Sequence, residues 1–162
     1  MTFAISLYGW VLSLHLLFAF ALVGAQVIFW IMIVALWGTD STSRVASLMR
    51  VSQVATVVIA VGSLGTIIFG VWLAIALDAY QVWDGWVLAA IVLWAIAVEL
   101  GRRGGEGYGA AGMEAGKLAA AGTETSPLVA ETFGASRALR FHAASSILVL
   151  LILVDMIWKP GA

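Results

Sequence analysis

Four long apolar segments dominate this 162-residue chain and leave it few folds to choose from. Crossing a hydrocarbon core of about 30 Å takes about 20 predominantly apolar residues in a helix. Four stretches meet or approach that length: 5–37, 51–79, 86–100 and 139–158, the third being the shortest. With 63% hydrophobic and 10% charged residues and a mean hydropathy of +1.07, water is not the solvent for most of the chain. The expected fold is all-α: a polytopic membrane protein, a four-transmembrane-helix bundle forming a single domain over 1–162.

Several functions are excluded early. The net charge of -1 offers no basis for nucleic-acid binding, and the absence of Cys excludes disulfides and thiolate chemistry. The N-terminal MTFAISLYGW lacks the basic region and cleavage site of a signal peptide, so the first apolar segment is expected to stay in the mature protein. Composition excludes a soluble enzyme. No nucleophile–base–acid set and no HExxH motif occurs, so the chain is not expected to be an enzyme by itself.

Loops rich in Lys and Arg tend to remain cytoplasmic. Arg44, Arg50, Arg102, Arg103, Lys117, Arg137 and Arg140 lie on one side and Lys159 on the other, which predicts both termini outside; the expected location is the cell inner (plasma) membrane, as a multi-pass protein. Tyr8, Trp10, Tyr80, Trp83, Trp86 and Trp158 then fall at the outer boundary, as an interfacial aromatic belt does. The stretch 101–136, rich in Gly and Ala, reads as an exposed cytoplasmic loop and a place for disorder or partner contact. Asp40 or Ser41 is expected to cap the second helix, and Ser126 with Pro127 to open the fourth. Both helices would then project as stalks, with Arg44, Arg50, Arg137 and Arg140 paired to Glu131 or to lipid phosphates.

Angular position at 100° per residue sorts the interior. Tyr8, His15, Ala19 and Gln26 share one face of the first helix; Ser52, Thr56, Ser63, Thr66 and Gly70 form a small and hydroxylated stripe on the second. On the fourth, His142, Ser145, Ser146, Val149, Leu153 and Met156 lie together, with Asp155 turned elsewhere. At about 1.5 Å per residue, Gln26 and His142 lie roughly 24 Å below the outer belt and Glu99 roughly 20 Å. These residues and Ser63 make a predicted inner polar layer, serving either as hydrogen-bonded glue or as a proton relay or ligand site. Glu99 also has Arg102 and Arg103 within reach as partners. His15, roughly 8 Å in, forms an outer cluster with Tyr8 and Met156.

Two histidines on different helices invite a haem test. Two trans imidazoles on one iron put their α-carbons on the order of 12 Å apart, and neighbouring helix axes are about 9 Å apart. The estimated 16 Å depth offset between His15 and His142 therefore disfavours one haem bridging both. His15 with Met156 fits better in depth, and a His/Met pair suits haem b or copper. The candidate cofactor ligands are thus His15, His142 and Met156, with His15 and Met156 as the metal pair.

The segments LHLLFAFALVGAQ, GTIIFGVWLA and HAASSILVLLILVDMIWKP resemble a bacterial family of four-helix integral membrane proteins of unknown function, related to the membrane domain of copper-resistance D proteins. The resemblance covers the chain outside the Gly/Ala-rich stretch. It implies a four-helix bundle and makes His15, Gly24, Gly70, His142, Met156 and Lys159 the positions that match the family pattern. It implies copper handling only as an analogy of fold.

Three readings of function follow. The first is a membrane protein that binds haem b or copper through intramembrane His and Met for redox or metal handling. The second is a non-catalytic subunit or assembly factor of a larger membrane complex, with membrane-protein partners or a homo-oligomer. The third is a small transporter or proton conductor, which the absence of inverted repeats or broken helices makes the weakest.

Overall fold

A computed structural model describes residues 6–76 and 81–160; Ile5, Ala79 and Tyr80, which the sequence reading placed at span ends or in the aromatic belt, lie outside them. The elements are α1 (Leu7–Ala35), α2 (Thr42–Ala76), α3 (Gly85–Ala120), the short α4 (Pro127–Thr132) and α5 (Arg137–Trp158). The fold is an all-α four-helix bundle, with four helical segments long and apolar enough to cross a membrane. Neighbouring helices are antiparallel. Going outward along α1 from Leu22 to His15, the partner on α2 moves from Gly62 to Gly70, and α3 pairs with α2 and α5 in the same reversed order.

The Gly/Ala-rich stretch is where the structure corrects the sequence reading. Residues 101–120 are not a loop: α3 runs through them to Ala120, which makes the segment expected to be shortest the longest helix, at 36 residues. The glycines serve as contact points. A Cβ on Gly104 would come within 3.1 Å of His142 N and 3.2 Å of Ala138 O, one on Gly107 within 2.9 Å of Ala138 Cβ, and one on Gly112 within 2.6 Å of Met49 Cγ. Small residues at helical spacing let backbones approach in this way. The connection that does exist is shorter, turning at 121–126 through Gly122, whose φ of +77° suits glycine.

The best-packed core therefore lies at the Arg-rich end. Leu36, Val45, Tyr108, Ala111, Ala115, Val129 and Phe133 are all at most 3% exposed. Main-chain bonds seal this end: Gly38 N donates to Phe133 O (2.9 Å), Thr42 N to Glu124 O (3.0 Å) and Ser126 N to Asp40 O (3.0 Å). The Thr42 hydroxyl donates to Thr123 O and Glu124 O, and Ser41 pairs with Thr125 in an isolated antiparallel bridge.

The helix starts are close to expectation, with one break. α2 begins at Thr42, just after Ser41, and Ser126 precedes Pro127 at the start of α4. The fourth helix does not continue from there. It stops at Thr132 and restarts at Arg137, where the Ser136 side chain accepts from Leu139 N (3.2 Å). Among the described residues Glu131 makes no ion pair with Arg44, Arg50, Arg137 or Arg140; the ion pairs lie on α3. Arg137 instead sits 5.2 Å from the Phe141 ring centre.

Candidate functional site: an outer and an inner histidine

His15 is half-buried on α1 and faces α2. Its Nδ1 lies 3.0 Å from the main-chain carbonyl of Thr66. A carbonyl oxygen only accepts, so Nδ1 carries the hydrogen and Nε2 keeps its lone pair. The Thr66 hydroxyl takes no part, since it donates to Gly62 O at 2.7 Å. Gly70 clears the space for the ring: a Cβ there would sit 3.0 Å from His15 Cε1 and 3.2 Å from Nδ1. Phe18 and Phe69, stacked with centroids 5.5 Å apart, lie on the same two helices within one turn of His15 and Thr66.

Met156 lies at nearly the same depth. Gln26 on α1 stands opposite Ser146 on α5, and extending that antiparallel register about ten residues outward brings Met156 opposite Leu16. No hydrogen bond joins the two residues: Met156 packs against the cluster of Ala74, Trp86 and Val87, while His15 is held by α2. Tyr8 of the expected outer cluster is 44% exposed and stands two turns away from His15. The interhelical hydrogen bonds and ring contacts between α1 and α5 fall at Gln26, Phe29 and Trp30 against His142 and Ser146. Along one stripe of α1, exposure is 2% at Ile33, 6% at Phe29 and 9% at Gln26; Leu22, Ala19 and His15 are half-buried, and Val11 at the outer end is buried again at 3%. On α5 the same change separates buried His142 and Ser145 from half-buried Val149, Leu153 and Met156.

His142 is 4% exposed and stands in an aromatic box. Ring centroids of Phe29, Trp30 and Tyr108 lie 4.8, 5.0 and 6.5 Å from its own. Its Nε2 is buried with no hydrogen-bond partner among the described residues. The Tyr108 hydroxyl is likewise buried with no hydrogen-bond partner among the described residues. Because His142 packs on Phe29 and Trp30, about 14 residues along α1 from His15, the axial offset between the two histidines is about 21 Å. That exceeds what one bis-histidine haem tolerates by a wide margin.

The four-member polar layer separates into three parts. Gln26 Nε2 and Trp30 Nε1 both donate to the Ser146 hydroxyl at 2.9 Å, and that hydroxyl donates to His142 O. Ser63 is bound elsewhere, accepting from Trp94 Nε1 at 2.8 Å. Glu99 leaves the interior altogether: its carboxylate receives Arg102 (2.9 Å) and Arg103 (2.7 Å) on the outer surface of α3, and Arg102 also pairs with Glu106. Thr56 likewise points outward and bonds its own helix at Ser52 O. The residues the sequence did not single out are Trp30, Trp94, Tyr108 and the Thr66 carbonyl. Trp30 and Trp94 carried a signal, being indoles within a predicted span that need an acceptor.

No protein-family profile, characterised protein or solved structure matches this chain.

Proposed function

We propose that this multi-pass membrane protein binds haem iron or copper at His15, with Met156 as the second candidate ligand, and serves one-electron redox or metal handling. The observation that carries this reading is the His15 Nδ1 to Thr66 carbonyl bond, which fixes the tautomer and ring orientation and leaves Nε2 with its lone pair. Metal-ligating histidines are ordinarily held by such an outer hydrogen bond on the other ring nitrogen. The donor set also fits chemically, since imidazole and thioether suit haem iron and copper. A bound haem or copper centre supplies one-electron chemistry; the chain orients the ligand through Thr66 and clears space for it at Gly70. His142 does not belong to this site and acts as a packing residue of the inner box. We place the Arg-rich end in the cytoplasm on the distribution of Lys and Arg, and the protein in the cell inner membrane on the resemblance to bacterial integral membrane proteins alone. The resemblance to copper-resistance D-related membrane proteins supports the metal-handling part of the reading.

The test is an oxidised and dithionite-reduced ultraviolet–visible spectrum of the detergent-purified protein, with iron and copper analysis on the same sample. A Soret band or stoichiometric copper is expected, lost in His15→Ala and kept in His142→Phe. A colourless, metal-free protein from cells supplied with haem precursor, iron and copper overturns the reading.

A second reading, a non-catalytic subunit of a larger membrane complex, draws on the far end of α3. Gly105, Gly109 and Gly116 there have nothing within 4 Å of a Cβ position, an open ledge suited to a partner helix. Stoichiometric co-purification of another membrane protein, lost in Gly109→Leu, supports it.

A further inference from the structure

Glycines bring α3 against the start of α5. A Cβ on Gly101 would lie 3.1 Å from Ser145 Oγ, one on Gly104 3.1 Å from His142 N, and one on Gly107 2.9 Å from Ala138 Cβ. That register sets Arg103 beside Phe141, and Arg137 stands one helical turn from Phe141 on the same face of α5. The Arg103 guanidinium carbon is 5.9 Å from the centre of the Phe141 ring and that of Arg137 is 5.2 Å from it. Two cations from two helices thus share one aromatic shelf.

The charges around this shelf do not cancel. Glu99 and Glu106 on α3 pair with Arg102 and Arg103, and Arg103 gives Glu99 only its Nε, at 2.7 Å. Among the described residues Arg137 and the exposed Arg140 have no ion pair. Both lie in the first turn of α5, where the helix dipole is itself positive and favours an anion. A guanidinium held against a ring face keeps in-plane N–H donors free, and that fork matches a phosphate.

Depth selects the source of the phosphate. Arg103 lies about 27 Å along α3 from Gly85, and Arg137 about 32 Å along α5 from Trp158. A hydrocarbon core is about 30 Å thick, so both side chains stand at the level of the lipid phosphates in the leaflet at the Arg-rich end. On the outer side of Phe141 the seam turns apolar. α3 has no Asp, Glu, Lys or Arg from Gly85 to Val98 and α5 none from Phe141 to Val154, and Val92, Ile96 and Ile147 are exposed there. Charge at phosphate depth and apolar surface at tail depth follow the order of a phospholipid's own parts.

We propose that Arg103, Arg137 and Phe141 form a binding site for the phosphate of an anionic phospholipid at the α3–α5 seam. Basic pockets between membrane helices on the cytoplasmic side hold such headgroups. The uncompensated charge of Arg137 and Arg140 disfavours a zwitterionic headgroup, whose own cation would be set among arginines. Arg44 and Arg50 on α2 have no ring beside them among the described residues and stand outside the site.

Native mass spectrometry of the protein released from nanodiscs containing equal amounts of phosphatidylglycerol and phosphatidylcholine reads which lipid stays bound. The unmodified chain is expected to retain phosphatidylglycerol. Arg103→Gln and Arg137→Gln are each expected to weaken that retention about fivefold, whereas Arg50→Gln, which removes the same charge from α2, leaves it unchanged. Phe141→Leu is expected to weaken it with every charge still in place. Melting curves check the fold of each variant, and Arg137, which has no ion pair to lose, carries the test if replacing Arg103 disturbs Glu99. An equal loss in Arg50→Gln overturns the site and reduces the arginines to a general positive surface. Equal retention of phosphatidylcholine overturns it, as does displacement of the lipid by millimolar inorganic phosphate. A stoichiometric foreign protein held through Arg103 and Arg137 in place of lipid overturns it too.

Discussion

His15 Nδ1 and the carbonyl oxygen of Thr66 are 3.0 Å apart, a side-chain to backbone bond that ties α1 to α2 and commits the imidazole to one tautomer. The bond depends on Gly70, four residues further along α2, for the room the ring occupies.

Gly70→Ala is expected to push the His15 ring by a few tenths of an ångström, and Gly70→Leu to expel it. The larger change costs about 1–3 kcal/mol by overpacking and takes any His15-bound metal with it. Thermal unfolding in detergent combined with metal analysis checks both effects. Full metal retention in a folded Gly70→Leu protein would separate the metal from His15.

His142→Phe is expected to be neutral or to stabilise by about 1 kcal/mol. The substitution keeps ring contact with Phe29 and Trp30 and removes a buried nitrogen that has no partner among the described residues. His142→Ala, which empties the box, is expected to cost about 3 kcal/mol. Paired melting curves decide the order. A loss in His142→Phe as large as in His142→Ala would show that the nitrogen matters and the ring shape does not.

Ser146→Ala strands two donors at once, Gln26 Nε2 and Trp30 Nε1. A destabilisation of about 1–3 kcal/mol is expected, together with faster amide exchange in the α5 segment around His142. Exchange confined to α1 would contradict the assignment of Ser146 as the joint between the two helices.

The glycines of α3 divide sharply. Gly104→Leu drives a side chain into the backbone of α5 and is expected to abolish folding or to lower the melting temperature steeply. Gly109→Ala, with open space around its Cβ, is expected to stabilise by up to about 1 kcal/mol through helix propensity. A comparison of expression and melting for the two variants tests whether 101–120 is packed helix; similar tolerance at both positions would return that stretch to a loop.

Hydropathy alone carries the four spans, because a run of twenty apolar residues has few other uses. The order of His15, Gln26 and His142 along the bundle follows from the fixed rise of an α-helix, but the offset between the two histidines is about 21 Å, against the roughly 16 Å expected from the sequence. The course of 101–120 was not. Glycine content signals a loop, whereas the spacing of Gly101, Gly104, Tyr108, Ala111 and Ala115 is that of a helix face packed closely on its neighbours. Composition and periodicity disagreed there, and periodicity described the packing. The polar layer failed for another reason: equal depth does not mean contact. Ser63 faces Trp94 and Glu99 faces solvent or headgroups, because azimuth around each helix, which rise does not supply, selects the partner. The Thr66 carbonyl was invisible in principle, as a main-chain acceptor has no residue-type signature.

The main-chain bonds between the two helical hairpins, at Gly38–Phe133, Thr42–Glu124 and Ser126–Asp40, all lie at the Arg-rich end. Main-chain bonds depend little on side-chain identity, so the register at this end is set by the backbone, while the outer end rests on the side chains of Ala74, Trp86, Val87 and Met156. Substitutions therefore reach the alignment of the hairpins more readily from the outer end than from the Arg-rich one.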